Sequence, residues 1–451
     1  MNNNSNTVSN SAKSDKNELS SELKNFFEFD LNKFVKALAH SIDYALMENF
    51  SLSNHSWNVA YLSLMISRGL GLPEDEVLDI FYCGLLHDNG FIETTLSFFK
   101  KRIFMSKKDM LNYAESLSMH CEVGAENVRG FPFKKLDEKI ILYHHENWDG
   151  SGPFGLSGDN IPLGARIVRL ADWIDTTFNI NPYTPNTNDI IEAAKKLSGK
   201  LFDPYVVEGF LKISEREKFW FDIFTLDASY LSSFLPENKI LADWGYIFTL
   251  SDSFVKLIDS KSQFTGYHTT GITEKALIMA DYYGYNTQRK FMFATAAALH
   301  DIGKLAIPTK ILDKPGKLTT REFEIIKFHV YLTKRILRTI PHFEKVASWA
   351  GNHHEKLNGT GYPEKKKAAN LSYECRLMAA LDIFQALTEH RSYRRGMPAE
   401  EAIAMMREMV KVDLIDARAV EDIREVFIKQ GKINELSVPE PYRLQTTDVA
   451  P

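Results

Sequence analysis

Residues 297–304 read Ala297-Ala298-Leu299-His300-Asp301-Ile302-Gly303-Lys304, and residues 83–90 read Cys83-Gly84-Leu85-Leu86-His87-Asp88-Asn89-Gly90. In both, an apolar run ends in a His-Asp pair, and a glycine follows two residues later. Adjacent histidines lie downstream of each, His144-His145 and His353-His354. Two ordered series emerge. The first is His55, His87, Asp88, His120, His144, His145 and Asp172; the second is His268, His300, Asp301, His329, His353, His354 and Asp382. His55 to His87 spans 32 residues, as does His268 to His300. The later gaps are 33 against 29, 24 against 24, and 27 against 28. Ten of the thirteen histidines fall into these series, so the chain reads as an internal duplication.

The periodicity is helical. His268, Ile272, Ala276, Met279 and Tyr283 share one helical face, as do His55, Val59, Leu62 and Ile66. The stretch 291–300 is apolar and Ala-rich, and 320–340 and 400–410 are amphipathic without strand alternation. The expected fold class is all-α: two tandem helical bundles joined by a helical linker. The boundaries read as a disordered tail over 1–24, a first domain over 25–213, a linker over 214–254, a second domain over 255–435 and a C-terminal tail over 436–451. Within the linker, residues 219–224 and 244–250 are expected to pack against a domain.

Composition narrows the function. The chain of 451 residues is 44% hydrophobic and 25% charged, which fits globular domains rather than wholesale disorder. A net charge of −5 argues against a protein that coats a nucleic-acid polymer or an anionic membrane. No apolar run reaches the roughly 20 residues of a membrane span. The Asn/Ser-rich start lacks the apolar core of a secretory signal. Three cysteines (Cys83, Cys121, Cys375) form no CxxC pair, so neither a disulfide framework nor a cysteine-based zinc site is expected. A cytoplasmic setting follows from the same usage.

The two series carry chemistry. A carboxylate has two oxygens, so Asp301 is suited to bridge two cations. His268, His300, His329, His353 and His354 add neutral nitrogens, and Asp382 a further carboxylate. Seven N/O donors suit a pair of borderline divalent metals such as Fe, Mn, Co or Zn, with Fe or Mn favoured. Two such ions sharing a water activate it and clamp a phosphoryl group. The first series is equally complete, so a metal is also expected there.

At these residues the chain resembles the HD superfamily of metal-dependent phosphohydrolases. Its second half resembles the HD-GYP family of cyclic-dinucleotide phosphodiesterases. The matching residues are His300-Asp301-Ile302-Gly303-Lys304, Ile307-Pro308, the run 311–319, His353-His354-Glu355, Gly361-Tyr362-Pro363, Ala386-Leu387-Thr388 and Arg391-Ser392-Tyr393-Arg394. The resemblance implies that His268, His300, Asp301, His329, His353, His354 and Asp382 hold metal. It implies that Asp301 and Lys304 are catalytic, and that Lys304, Tyr362, Arg391 and Arg394 contact substrate.

Departures from the family pattern are informative. Asn358 and Gln385 stand where the family usually or often has Asp. Phe264 occupies the place of a Glu that supplies a third metal ligand set in some members, which favours two metals. In the first half, Phe91 replaces the lysine, Gly152-Pro153-Phe154 replaces Gly-Tyr-Pro, and Asn181 and Thr184 replace the arginines. The first half therefore reads as a diverged copy, able to bind metal but poor at gripping a phosphodiester.

The expected function is hydrolysis of a 3′–5′ cyclic dinucleotide, cyclic di-GMP or 3′3′-cyclic GMP-AMP, to a linear dinucleotide in bacterial second-messenger signalling. The substrate comes from the resemblance; the residues themselves give metal-assisted phosphoester hydrolysis. The alternatives are a phosphohydrolase of a mononucleotide or alarmone, and a non-catalytic cyclic-dinucleotide receptor. A homodimer is compatible with either reading.

Overall fold

A computed structural model describes residues 25–50, 54–94, 110–178, 187–252, 254–262, 267–389 and 395–435. The tails assigned from sequence, 1–24 and 436–451, and Phe264 lie outside the described residues. The helices that position the site are, in chain order, α1 (Leu31–Phe50), α2 (His55–Gly69), α3 (Glu74–Leu86), α4 (Met110–Asn127), α5 (Leu163–Phe178), α6 (Glu217–Phe224), α7 (Trp244–Asp252), α8 (Val255–Ser260), α9 (His268–Tyr282), α10 (Thr287–Leu299), α11 (Thr320–Leu337), α12 (Glu344–Ala350) and α13 (Tyr373–Thr388).

The duplication is a duplication of packing. In the first half α2 packs on α3 and α5; in the second, α9 packs on α10 and α13. The leading helix of each half stops at a glycine with positive φ, Gly71 (75°) and Gly284 (61°), a conformation that costs other residues energy. Asn286 caps α10 by accepting from the Arg289 amide at 2.9 Å, and Thr319 and Glu322 form a capping box on α11. The Ala-rich reading of α10 is borne out, since Ala294, Ala296, Ala297 and Ala298 are fully buried.

The helix bearing the apolar run ends at the His-Asp pair. His300 is the C-cap of α10, and the chain turns into a 3-10 segment, Ile302–Ala306. The reason is Gly303. A Cβ there would lie 2.1 Å from the His329 carbonyl oxygen; at Gly90 it would lie 2.2 Å from that of His120. Only glycine lets the turn touch the helix that carries the next histidine.

One departure from the all-helical expectation is a two-stranded antiparallel ribbon. β1 (Phe27–Asp30) pairs with β2 (Lys239–Ala242), with Phe27 opposite Ala242. Four residues are too few to show alternation, so β2 is hidden inside the linker read as helical. The ribbon fixes the start of the chain to the linker and presses both onto the second half. Phe343 is fully buried beneath Phe29 (6.2 Å between ring centroids), Phe34 (6.3 Å) and Trp244 (5.3 Å). Truncating such a ring costs on the order of 3–5 kcal/mol. Helix α1 packs against the Ile302–Ala306 turn, so the buried core runs unbroken through both halves. The linker segments around α6 and α7 are buried as expected, through Phe219, Trp220, Trp244 and Ile247.

A buried aspartate caps each leading helix. Asp43 accepts from the Ser56 amide (2.9 Å), and Asp259 from the Thr269 (2.9 Å) and Thr270 (3.1 Å) amides. Burial pushes the Asp43 carboxyl up to about 6, against the pull of Ser56. The folded state then holds a proton that the unfolded chain releases, so stability falls as pH rises through this window. Asp43→Asn keeps an acceptor and removes the buried charge. Its unfolding free energy relative to the parent should rise by about 3 kcal/mol between about pH 4 and about pH 8 in paired denaturation curves. A difference independent of pH would contradict this.

Candidate metal centre

All seven residues of the second series converge, from three helices and the two turns that follow α10 and α12. Asp301 stands in the middle. Its Oδ2 lies 3.1 Å from His300 Nε2 and 3.9 Å from His268 Nε2; its Oδ1 lies 3.4 Å from His329 Nε2 and 3.9 Å from His353 Nε2. Asp382 Oδ1 approaches His268 Nε2 at 3.1 Å, and Oδ2 approaches His354 Nδ1 at 4.0 Å. The donors sort into two groups, His268 with His300 and Asp382, and His329 with His353 and His354. The carboxylate of Asp301 lies between them, one oxygen toward each.

The imidazoles are aimed by their other nitrogens. His300, His329 and His353 each direct Nδ1 at the carbonyl three residues back, that of Ala297 (2.7 Å), Ile326 (2.6 Å) and Ala350 (2.5 Å). Nδ1 therefore carries the proton, and the Nε2 lone pair faces the centre. Burial keeps two rings neutral, His329 down to about 4 and His353 down to about 3. Burial opposes ionisation of Asp301, but His300 and Lys304 outweigh it and hold the carboxyl well below its usual range.

The donor set fits a metal pair on an observation of the structure itself. His268 Nε2, His300 Nε2, Asp301 Oδ1, His329 Nε2 and His353 Nε2 are buried with no hydrogen-bond partner. Five such atoms at one point would be costly unless cations complete them.

Lys304 reaches the same point, its ammonium 2.5 Å from Asp301 Oδ2. It does so from the 3-10 turn, not from a continuing α-helix. Tyr362 stacks beside His354, ring centroids 5.0 Å apart, and also meets Phe323 at 5.9 Å. Arg391 and Arg394 lie outside the described residues, as do Asn181 and Thr184. Asn358 shapes its own loop by accepting from Thr360 (2.7 Å from the hydroxyl), just as Asp149 accepts from Ser151 (2.6 Å).

The first series assembles in the same way around Asp88. Oδ2 lies 3.4 Å from His87 and 3.6 Å from His55, and Oδ1 lies 3.6 Å from His120 and 3.9 Å from His144. Asp172 stands 3.6 Å from His55 and 3.9 Å from His145. The Phe91 ring, in the lysine's place, leans on His120 at 5.6 Å.

Four side chains have supporting roles that the sequence reading did not assign. Glu355 accepts from the Glu364 (2.7 Å) and Lys366 (2.8 Å) amides, holding the loop that carries Tyr362; Glu146 does the same for Phe154. Asp175 receives His55 Nδ1 at 2.7 Å. The corresponding position of the second half is Gln385, which cannot accept as an anion. Glu389 supplies the carboxylate instead, at 3.0 Å from His268 Nδ1. Gln385 links Glu389 (3.1 Å) to the buried ammonium of Lys275 (2.6 Å). Against burial, Asp382 and Glu389 raise the pKa of His268, so a metal ion would bind its Nε2 in competition with a proton.

Comparison with known proteins agrees with this geometry. The family description "HD domain" matches residues 52–177 and again 252–419. The 3′3′-cGAMP-specific phosphodiesterase 1 of Vibrio cholerae is 30% identical over 382 residues, covering 82% of this chain and 86% of the relative. The chain belongs to the HD-GYP family. This HD-GYP protein is also 28% identical to the 3′3′-cGAMP-specific phosphodiesterase 3 of the same organism, over 84% of the chain and 91% of the relative. A crystal structure titled as a cyclic GMP-AMP specific phosphodiesterase of V. cholerae shares the fold, with TM-score 0.61 at 23% identity, covering 92% of this chain and 100% of that one. Like other HD-domain proteins, the chain is a metal-dependent hydrolase. No helix among the described residues is long and apolar enough to cross a membrane.

Glu389→Gln should keep the hydrogen bond to His268 but remove its charge. Metal affinity of the second half should fall roughly 10–100-fold, read by competition with a chelator. Unchanged affinity would show that Glu389 does not orient His268.

Proposed function

We propose that the second half hydrolyses one 3′–5′ phosphodiester of a cyclic dinucleotide, 3′3′-cyclic GMP-AMP before cyclic di-GMP, giving a linear dinucleotide. The observation that carries it is the set of five unpartnered buried atoms around Asp301, with Lys304 and Tyr362 at its edge. The two V. cholerae relatives that span most of the chain support the choice of cyclic GMP-AMP by their names.

In this reading His268, His300, Asp301, His329, His353, His354 and Asp382 hold two divalent ions, with iron or manganese favoured. Bound there, the pair supplies Lewis acidity to the phosphoryl oxygens and an activated water. Asp301, with one oxygen facing each group of donors, would help to hold both ions. Lys304 is close enough to pass from Asp301 to a phosphoryl oxygen, where negative charge builds as the P–O bond breaks. The Tyr362 hydroxyl stays protonated at neutral pH, because burial, with Asp382 and Asp301 nearby, raises its pKa. It therefore donates a hydrogen bond to substrate. Arg391 and Arg394 are assigned to the second phosphate or a guanine edge.

The first half, over 25–213, is a metal-holding partner without turnover. It keeps every ligand but carries Phe91 and Phe154 where a phosphodiester needs Lys304 and Tyr362. Its helix α1, packed on the turn that bears Lys304, is how it acts on the active half.

Metal-loaded protein offered cyclic GMP-AMP, cyclic di-GMP and a panel of phosphomonoesters should linearise the first at the highest kcat/KM. Turnover of monoesters alone would favour the mononucleotide reading, and tight binding without turnover the receptor. Asp301→Ala should lose metal and turnover together. Lys304→Ala should retain metal while kcat drops about 100–1,000-fold; a normal kcat would remove Lys304 from the mechanism.

A further inference from the structure

Cysteine usage argued against thiolate ligation, yet one of the three cysteines sits in the first metal cluster. Cys121 follows His120 on α4 and is fully buried. Its Sγ lies 3.8 Å from His120 Nε2 and 3.6 Å from the nearer edge of the His144 ring, at Nδ1. His120, Cys121, His144 and His145 each offer one donor atom within 4.8 Å of the others. His144 Nδ1 is engaged with the Ile141 carbonyl at 2.6 Å, so Nε2 is its free donor. His120 Nε2 and His144 Nε2 stand 3.3 Å apart. Tetrahedral zinc, with its usual bond lengths, sets two nitrogens about 3.4 Å apart and nitrogen and sulfur about 3.6 Å apart. The His120 contacts of 3.3 and 3.8 Å therefore need little adjustment.

We propose that the first half holds a thiophilic divalent ion of the zinc class on His120, His144, His145 and the Cys121 thiolate, a closed site chemically distinct from the catalytic pair. The inference rests on the reading that the first half binds metal. The second half cannot copy it, because Val330 follows His329 where Cys121 follows His120. The other thiols are elsewhere: Cys375 meets Ser348 and Asn352, and Cys83 is four residues ahead of His87 on the inner side of α3. Phe91, at the position of Lys304, meets the His120 ring edge-on at 5.6 Å and brings no charge to the site. Nitrogen and sulfur donors filling four positions are the mark of a structural site rather than a catalytic one, which keeps a position open. Soft sulfur also separates the two halves in metal preference.

Cobalt(II) substitution of the full chain reads this directly. The cobalt-loaded protein should show a thiolate-to-cobalt charge-transfer absorption in the near ultraviolet. Cys121→Val, which installs the second half's own residue and preserves the core, should lose that band, as should Cys121→Ser. Zinc affinity of the first half should fall by at least the roughly 10–100-fold seen when an outer partner of a ligand is lost. His144→Ala, which removes one of the four proposed ligands, should lower the cobalt count per chain. If that count drops but the parent shows no charge-transfer band, the first half binds metal without Cys121 and the proposal is overturned. If His144→Ala leaves the count unchanged and the parent shows no charge-transfer band, the first half holds no metal, and the reading beneath the proposal fails as well.

Discussion

A buried carboxylate surrounded by imidazoles organises this molecule. Asp301 is 2% exposed, and four histidine nitrogens lie within 3.9 Å of its oxygens. Such a charge is expensive to bury unless cations share it. The surrounding structure serves that arrangement. α10 must end at His300, Gly303 must lack a Cβ for α11 to come close, and carbonyls at Ala297, Ile326 and Ala350 must hold three rings in one tautomer. The first half repeats most of them around Asp88: Gly90 meets the His120 carbonyl, and the Gly84 and Ile141 carbonyls hold His87 and His144.

Duplication preserved the ligands and released the rest. The first copy carries Phe91 and Phe154 where the second has Lys304 and Tyr362, and brought a thiol to its histidine cluster. The second kept Lys304 and Tyr362. It also rebuilt the support of its first histidine, moving the carboxylate from the Asp175-equivalent position to Glu389, one helical turn on. The two copies are not independent bodies. Phe343 is wedged by rings from the ribbon, α1 and α7, and α1 rests on the turn that carries Lys304.

The parts legible in the sequence are those with fixed spacing. The helices and all fourteen series residues could be read because histidine and aspartate stand out from an apolar background, and because the intervals repeat. What escaped lacks either mark. β1 and β2 are four residues each and lie in distant parts of the chain. Asp43 and Asp259 cap equivalent helices from 13 and 10 residues upstream of the amides they meet, so no common interval reveals them. Glu389 stands at a position its counterpart does not share. Cys121 reads as a lone thiol until folding brings His144 and His145 to it.

The account depends most directly on two ions divided by one carboxylate in the second half. Anomalous diffraction at the metal absorption edge, from crystals of the full-length metal-loaded protein, tests this. The account predicts two peaks bracketing Asp301, one beside His268, His300 and Asp382 and the other beside His329, His353 and His354, with an Asp301 oxygen next to each. A single peak, or a pair from which Asp301 turns away, would contradict it.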